Sequence, residues 1–165
     1  MAYNRVLAYH LTFTTYGTRL HGDPRGTIMR GRQGRASAIV QPDPVLHDAM
    51  ADKLKFLPMI LTAPLRQVVH QTIESYCQFK SWPLLALHVR TNHVHCVVGA
   101  ACSSSKVLHA LKARATRMLR EAGLIAAGRP VWTERGSQKQ LFTQQAIDNA
   151  IKYVDLNQGK SLPEP

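Results

Sequence analysis

His93 and His95, one residue apart within LLALHVRTNHVHCVVGA (Leu84 to Ala100), are the side chains of this sequence best suited to chemistry. Apolar arms flank a polar centre, which is a strand-hairpin pattern. Leu84 to Arg90 runs out, Thr91 and Asn92 turn, and His93 to Val98 runs back. Strand residues two apart share a face. His93, His95 and Val97 therefore project together, and Val94, Cys96 and Val98 project the other way. Two imidazoles one strand step apart can close on one divalent ion. They cannot complete a site alone, so another ligand and a reacting group must come from elsewhere. The spacing also fits two partly exposed histidines on a sheet face, in a chain with eight His. No CxxC-type framework accompanies them.

A second polar group lies near the C-terminus. Thr143 is placed to cap a helix over Gln144 to Gln158 that stops at Gly159. Its apolar arc is Ala146, Ile147, Ala150, Ile151 and Val154. Tyr153 and Asn157, four apart, lie one above the other at the edge of that arc, with Asn149 one turn earlier. Both should face the protein. Taken alone, this helix reads as one with a rim tyrosine and an asparagine making a local hydrogen bond.

The elements that must position these groups follow in order. Arg5 to Tyr16 alternates as a half-buried strand, with Leu7, Tyr9, Leu11 and Phe13 on one face and Ala8, His10, Thr12 and Thr14 on the other. His10 shares the polar face, where it could lie near the hairpin histidines, and reads as structural rather than as a ligand. Gly17 to Gln41 reads as a long loop, its basic part at 24–42. It carries Arg19, Arg25, Arg30, Arg32 and Arg35 with Asp23 as its one acid, and so reads as a phosphate-contacting arm. Pro44 to Leu57 reads as a short helix capped by Asp43. Thr62 starts another, to about Lys80, with Pro64 in its first turn and a stripe of Leu65, Val68, Val69, Ile73, Tyr76 and Cys77. Ser103 to Gly123 is the clearest helix. Val107, Leu108, Leu111, Ala115, Met118 and Leu119 form its apolar arc, Lys112 lies at the flank, and Lys106, Arg114, Arg117 and Arg120 gather opposite. A face of one sign suggests a phosphate track, although simple solvation also accounts for it. Val131 to Phe142 supplies a last short strand. The order predicts one α+β domain over 1–165, a ferredoxin-like sandwich whose mostly antiparallel sheet has helices on its faces. The tail at 160–165 should fray.

Composition narrows the class. Lys and Arg number 21 against 10 acids, a net charge of +11, and a domain this basic usually meets a polyanion. No apolar run approaches the roughly eighteen residues needed to span a bilayer, and MAYNRVLAYHLTF lacks the layout of a secretory signal. Cys77, Cys96 and Cys102 form no framework and read as reduced thiols, which predicts a cytoplasmic protein.

A His-hydrophobic-His strand followed by a helix bearing Tyr and then an amide resembles the single-tyrosine HUH transposases. These include insertion-sequence enzymes and REP-associated tyrosine transposases. The matching words are TNHVHCVV (Thr91 to Val98), AIDNAIKYVDLNQG (Ala146 to Gly159), VWTERGSQKQLFT ahead of that helix, and LTFTTYGTRLHGDPRGT (Leu11 to Thr27). One departure is YVDLNQG, where many relatives carry a proline after the asparagine. The resemblance implies that His93, His95 and Asn157 ligate Mg²⁺ or Mn²⁺ and that Tyr153 is the nucleophile. It implies a dimer that cuts and rejoins single-stranded, hairpin-bearing DNA through a 5′-phosphotyrosine. The cation would leave positions open for a phosphate and polarise it, which a weakly nucleophilic phenol requires. Phosphate contacts are expected from Arg25, Arg30, Arg32, Lys106, Arg114, Arg117 and Arg120. Two rival readings are a domesticated DNA-binding protein of the same fold and a basic RNA-binding ferredoxin-like domain. The latter should carry stacking aromatics on its open sheet face.

Overall fold

Alternation in the first strand becomes β1 (Ala8–Thr14) in a computed structural model of the chain, which describes residues 5–29 and 38–156. Tyr9, Leu11 and Phe13 enter the larger core, while His10, Thr12 and Thr14 stand half-buried on the opposite face. β1 is central because both of its edges are paired. It pairs antiparallel with β5 (His93–Val98) on one side and with β6 (Ser137–Leu141) on the other. β4 (Leu84–Val89) completes the order β4-β5-β1-β6, all antiparallel. With α2 (Ala63–Phe79) between β1 and β4, and α3 (Ser104–Glu121) between β5 and β6, this is the expected ferredoxin-like βαββαβ arrangement.

The two sheet faces are covered differently. Helices α2 and α3 pack side by side over the face that carries Leu11, Phe13, Val94, Cys96 and Val98. Val107, Leu108, Leu111, Ala115 and Leu119 are buried there, as the helical spacing predicts, and fully buried aliphatic side chains of this size contribute roughly 1.5–3 kcal/mol each. Phe13 meets Trp132 edge to face at 5.0 Å. The other face carries a smaller core of Ala8, Val97, Leu141, Ile147, Ala150 and Val154, made with α4 (Gln144–Leu156). Thr143 caps α4 by accepting from the Ala146 amide.

Three local expectations are corrected. α1 runs only over Pro44–Ala51. Asp43 caps it, accepting from the Leu46 amide, but none of its residues is buried, so no packed face carries it on toward Pro58. Thr62 occupies the cap position of α2 without a side-chain hydrogen bond. The long loop holds a short hairpin of β2 (Thr27–Met29) and β3 (Ala38–Val40), which pair antiparallel; no periodicity marks strands of three residues. Arg30 and Arg32 lie outside the described residues.

Arg25 closes on the loop's acid. Its Nε donates to Asp23 Oδ1 at 2.8 Å and a terminal nitrogen to Oδ2 at 2.6 Å, a two-pronged ion pair with a buried carboxylate. The guanidinium holds the Asp23 carboxyl down to about 2, against an ordinary value of 3.8. The unfolded carboxyl takes up its proton at the higher pH. This pair's contribution is therefore complete above about pH 3.8 and is lost as pH falls through about 2. In an acid-unfolding titration Asp23→Asn should flatten that limb and leave the neutral profile parallel to wild type. An unchanged acid limb would refute the linkage.

Candidate active site

The hairpin turn that sets the histidine strand is itself buried. Thr91 and Asn92 are covered, and their carbonyls accept backbone amides from two other segments: Leu61 donates to Thr91 at 2.7 Å and Thr15 to Asn92 at 2.8 Å. Arg90 N donates to His93 O across the turn at 2.8 Å. With the turn clamped, the alternation of β5 is locked. Val94, Cys96 and Val98 point into the larger core, and His93, His95 and Val97 point to the α4 side.

Both imidazoles are oriented by neighbours. His93 Nδ1 donates to Asn92 Oδ1 at 2.7 Å. His95 Nδ1 is hydrogen-bonded to Thr12 Oγ1 at 2.8 Å, and His10 Nε2 lies 3.3 Å from the same nitrogen. Strand register explains this, since Thr12 stands directly opposite His95. The rings of His93 and His95 are 4.8 Å apart and nearly perpendicular. Burial, reinforced by the charges that His93, His10, His88 and Arg90 would carry, pushes His95 down to about 3, so it is neutral at neutral pH. Burial and then the Lys139 ammonium lower His10.

α4 brings the phenol to this face. Ile147, Ala150 and Val154 anchor it to the sheet, and His88, opposite His95 on β4, donates from Nδ1 to the Val154 carbonyl at 3.0 Å. Tyr153, one residue before that carbonyl, lies with its ring 5.5 Å from His95 and 5.6 Å from His10, edge-on to both. It stays 43 % exposed, so a polymer can reach it. A cleft of about 530 Å³ opens here between β1, β6 and α4, lined by His10, Thr12, His95, Lys139, Asn149 and Tyr153.

The structure thus sets His95 beside both His93 and Tyr153. Asn157 lies outside the described residues. Among the described residues no group of three or more His, Cys, Asp or Glu is arranged to hold a metal ion, so a metal here would need a ligand of another type. The basic residues of α3 do not join the cleft. α3 packs on the opposite sheet face, and Arg117 is paired with Glu121 at 2.6 Å. Lys112, at the flank of that face, is buried and donates to the carbonyls of Thr133, Glu134 and Arg135. It fastens the segment leading into β6.

Sequence reasoning passed over the functional potential of His10, Thr12 and Lys139. Alternation put His10 and Thr12 on the polar face and left His10 free to lie near the hairpin histidines, but it did not set Thr12 opposite His95. Lys139 stands opposite His10 across β1 and β6. Gly136 admits that pairing, because a Cβ there would lie 2.7 Å from the Thr12 carbonyl.

Comparison with known proteins agrees with this fold. One solved structure, a REP-associated tyrosine transposase bound to a REP hairpin, matches with a TM-score of 0.53 at 12% identity, covering 95% of this chain and 70% of the other. A Deinococcus radiodurans protein assigned as a transposase matches with a TM-score of 0.52 at 16% identity, covering 94% and 93%. At such identities the likeness is one of fold. No curated protein matches. The family described as Transposase IS200 like matches residues 56–156, which includes both histidines, Tyr153 and more than half of the sequence. The chain belongs to the IS200-like transposase family.

Proposed function

We propose that this transposase cleaves and rejoins single-stranded DNA, with Tyr153 as nucleophile and a divalent cation held by His93, His95 and Asn157. The observation that carries this reading is the phenol ring 5.5 Å from His95 in an open, cation-flanked cleft. The histidines suit a metal. Neutral imidazole is the ligating form, burial keeps His95 in it, and each Nδ1 is engaged by an orienting partner, as is usual for imidazoles that ligate through the other nitrogen. Mg²⁺ or Mn²⁺ would supply Lewis-acid polarisation of the scissile phosphodiester.

The chain's own groups carry the rest. α4 presents the Tyr153 oxygen to the phosphorus. As the phenolic O–P bond forms, the bond from phosphorus to the 3′ oxygen breaks. The phenol loses its proton and the departing 3′ oxygen gains one. The product is a 5′-phosphotyrosine with a free 3′-OH, and the reverse attack by a 3′-OH rejoins DNA without an outside energy source. Lys139 at the rim is placed to hold a phosphate. The test is incubation with Mn²⁺ and labelled single strands. A detergent-stable adduct mapping to Tyr153 supports the mechanism, and an adduct on another residue refutes it.

A hairpin-bearing single strand remains the expected substrate, supported by a similar structure bound to a REP hairpin, and action as a homodimer remains an expectation of the family resemblance. α3 would then meet flanking DNA on the far side of the sheet rather than the cleaved strand. Replacing both Arg114 and Arg117 with Ala should leave cleavage of short strands intact. It should flatten the salt dependence of hairpin binding by about one slope unit per lost contact. An unchanged slope would return that face to solvation. A domesticated, catalytically silent binding protein is the competing reading, and an intact Tyr153 beside His95 favours the enzyme.

A further inference from the structure

A second depression continues from the catalytic cleft. It is about 600 Å³ and shares Thr12 and Ser137 with the first, so the two form one trough over β1 and β6. Its character changes along the way. Leu20, Ile28 and Met50 give it apolar walls, and the imidazole of His21, fixed by Thr27 at 2.8 Å, adds an aromatic plane. Arg19 and Arg135 also line it. Lys112 holds the backbone of the 133–135 segment, so Arg135 departs from a fixed position. Ile28 stays 68 % exposed, which leaves an apolar side chain in water beside a charged rim.

We propose that this trough seats the nucleotide next to the cleaved phosphodiester, with His21, Leu20, Ile28 and Met50 packing its base and Arg19 and Arg135 holding its phosphate. The inference rests on the reading that single-stranded DNA is cut at Tyr153. A base is the occupant that suits the trough: it needs a flat aromatic or apolar contact, and its attached phosphate needs a cation within a nucleotide's reach. An apolar peptide would gain nothing from the two arginines. The shared Thr12 and Ser137 put the seat next to the cleft that holds the phenol, within reach of one continuous strand. The loop of residues 17–29 thereby becomes a reader of the strand, not only a source of charge.

The experiment pairs base removal with side-chain removal. Tyr153→Phe protein, which cannot turn over, is titrated with fluorescent single strands that carry one abasic position each, on either side of the cut site. Wild-type cleavage of the intact strand is measured alongside. One abasic position flanking the cut should weaken binding roughly tenfold. In Ile28→Ser or His21→Ala protein the same position should cost less than about twofold. Arg135→Ala should weaken every strand alike. If strands are cleaved at Tyr153 but abasic losses are equal with and without Ile28 and His21, the seat is overturned and the enzyme stands. If no strand is bound or cut, both fall.

Discussion

Tyr153→Phe should leave the protein folded and DNA-bound but reduce cleavage by roughly 10⁴-fold or more, the scale on which loss of a covalent nucleophile acts. The ring stays in place, so its packing against His10 and His95 survives. Only the oxygen leaves, from a residue that is 43 % exposed. Single-turnover cleavage, covalent trapping and equilibrium binding therefore separate cleanly. Residual cleavage near wild type would place the nucleophile elsewhere and overturn the mechanism.

His95→Ala should have the second large effect, a fall in Mn²⁺ affinity of at least about 100-fold with cleavage falling in parallel. The side chain is covered, bonded to Thr12 and flanked by His10, so its removal also leaves Thr12 Oγ1 without that partner. Thermal unfolding must accompany the measurement. Thr12→Val supplies the control, since it removes the orienting hydroxyl but keeps the imidazole. Its Mn²⁺ affinity should fall by roughly 10-fold, between wild type and His95→Ala. A folded His95→Ala protein that binds Mn²⁺ as wild type does would remove His95 from the ligand set.

Much of this was legible in the sequence, and for identifiable reasons. The faces of β5 follow from a two-residue period, and the arc of α3 from helical spacing; both are local rules that packing then enforces. Tyr153 at the rim of α4 follows from the same geometry. What stayed hidden depends on pairing across distance. The polar face of β1 allowed His10 to lie near the hairpin histidines, but the register that sets Thr12 opposite His95 and Lys139 opposite His10 exists only once β1 lies between β5 and β6. Arg25 looks like a free cation in a list of residues, yet its closest neighbour is the buried Asp23. The basic face of α3 is real, but the sheet topology turns it away from the histidines. Periodicity tells which side of an element is wet; it does not tell what that side looks at.

α4 has two occupations. Ile147, Ala150 and Val154 complete the second core, while Tyr153 reaches the cleft. A descendant that abandoned transposition would still need this helix to keep one face of its sheet dry. Persistence of the helix among relatives is thus no sign of activity, because the packing of its apolar side would preserve it in either case.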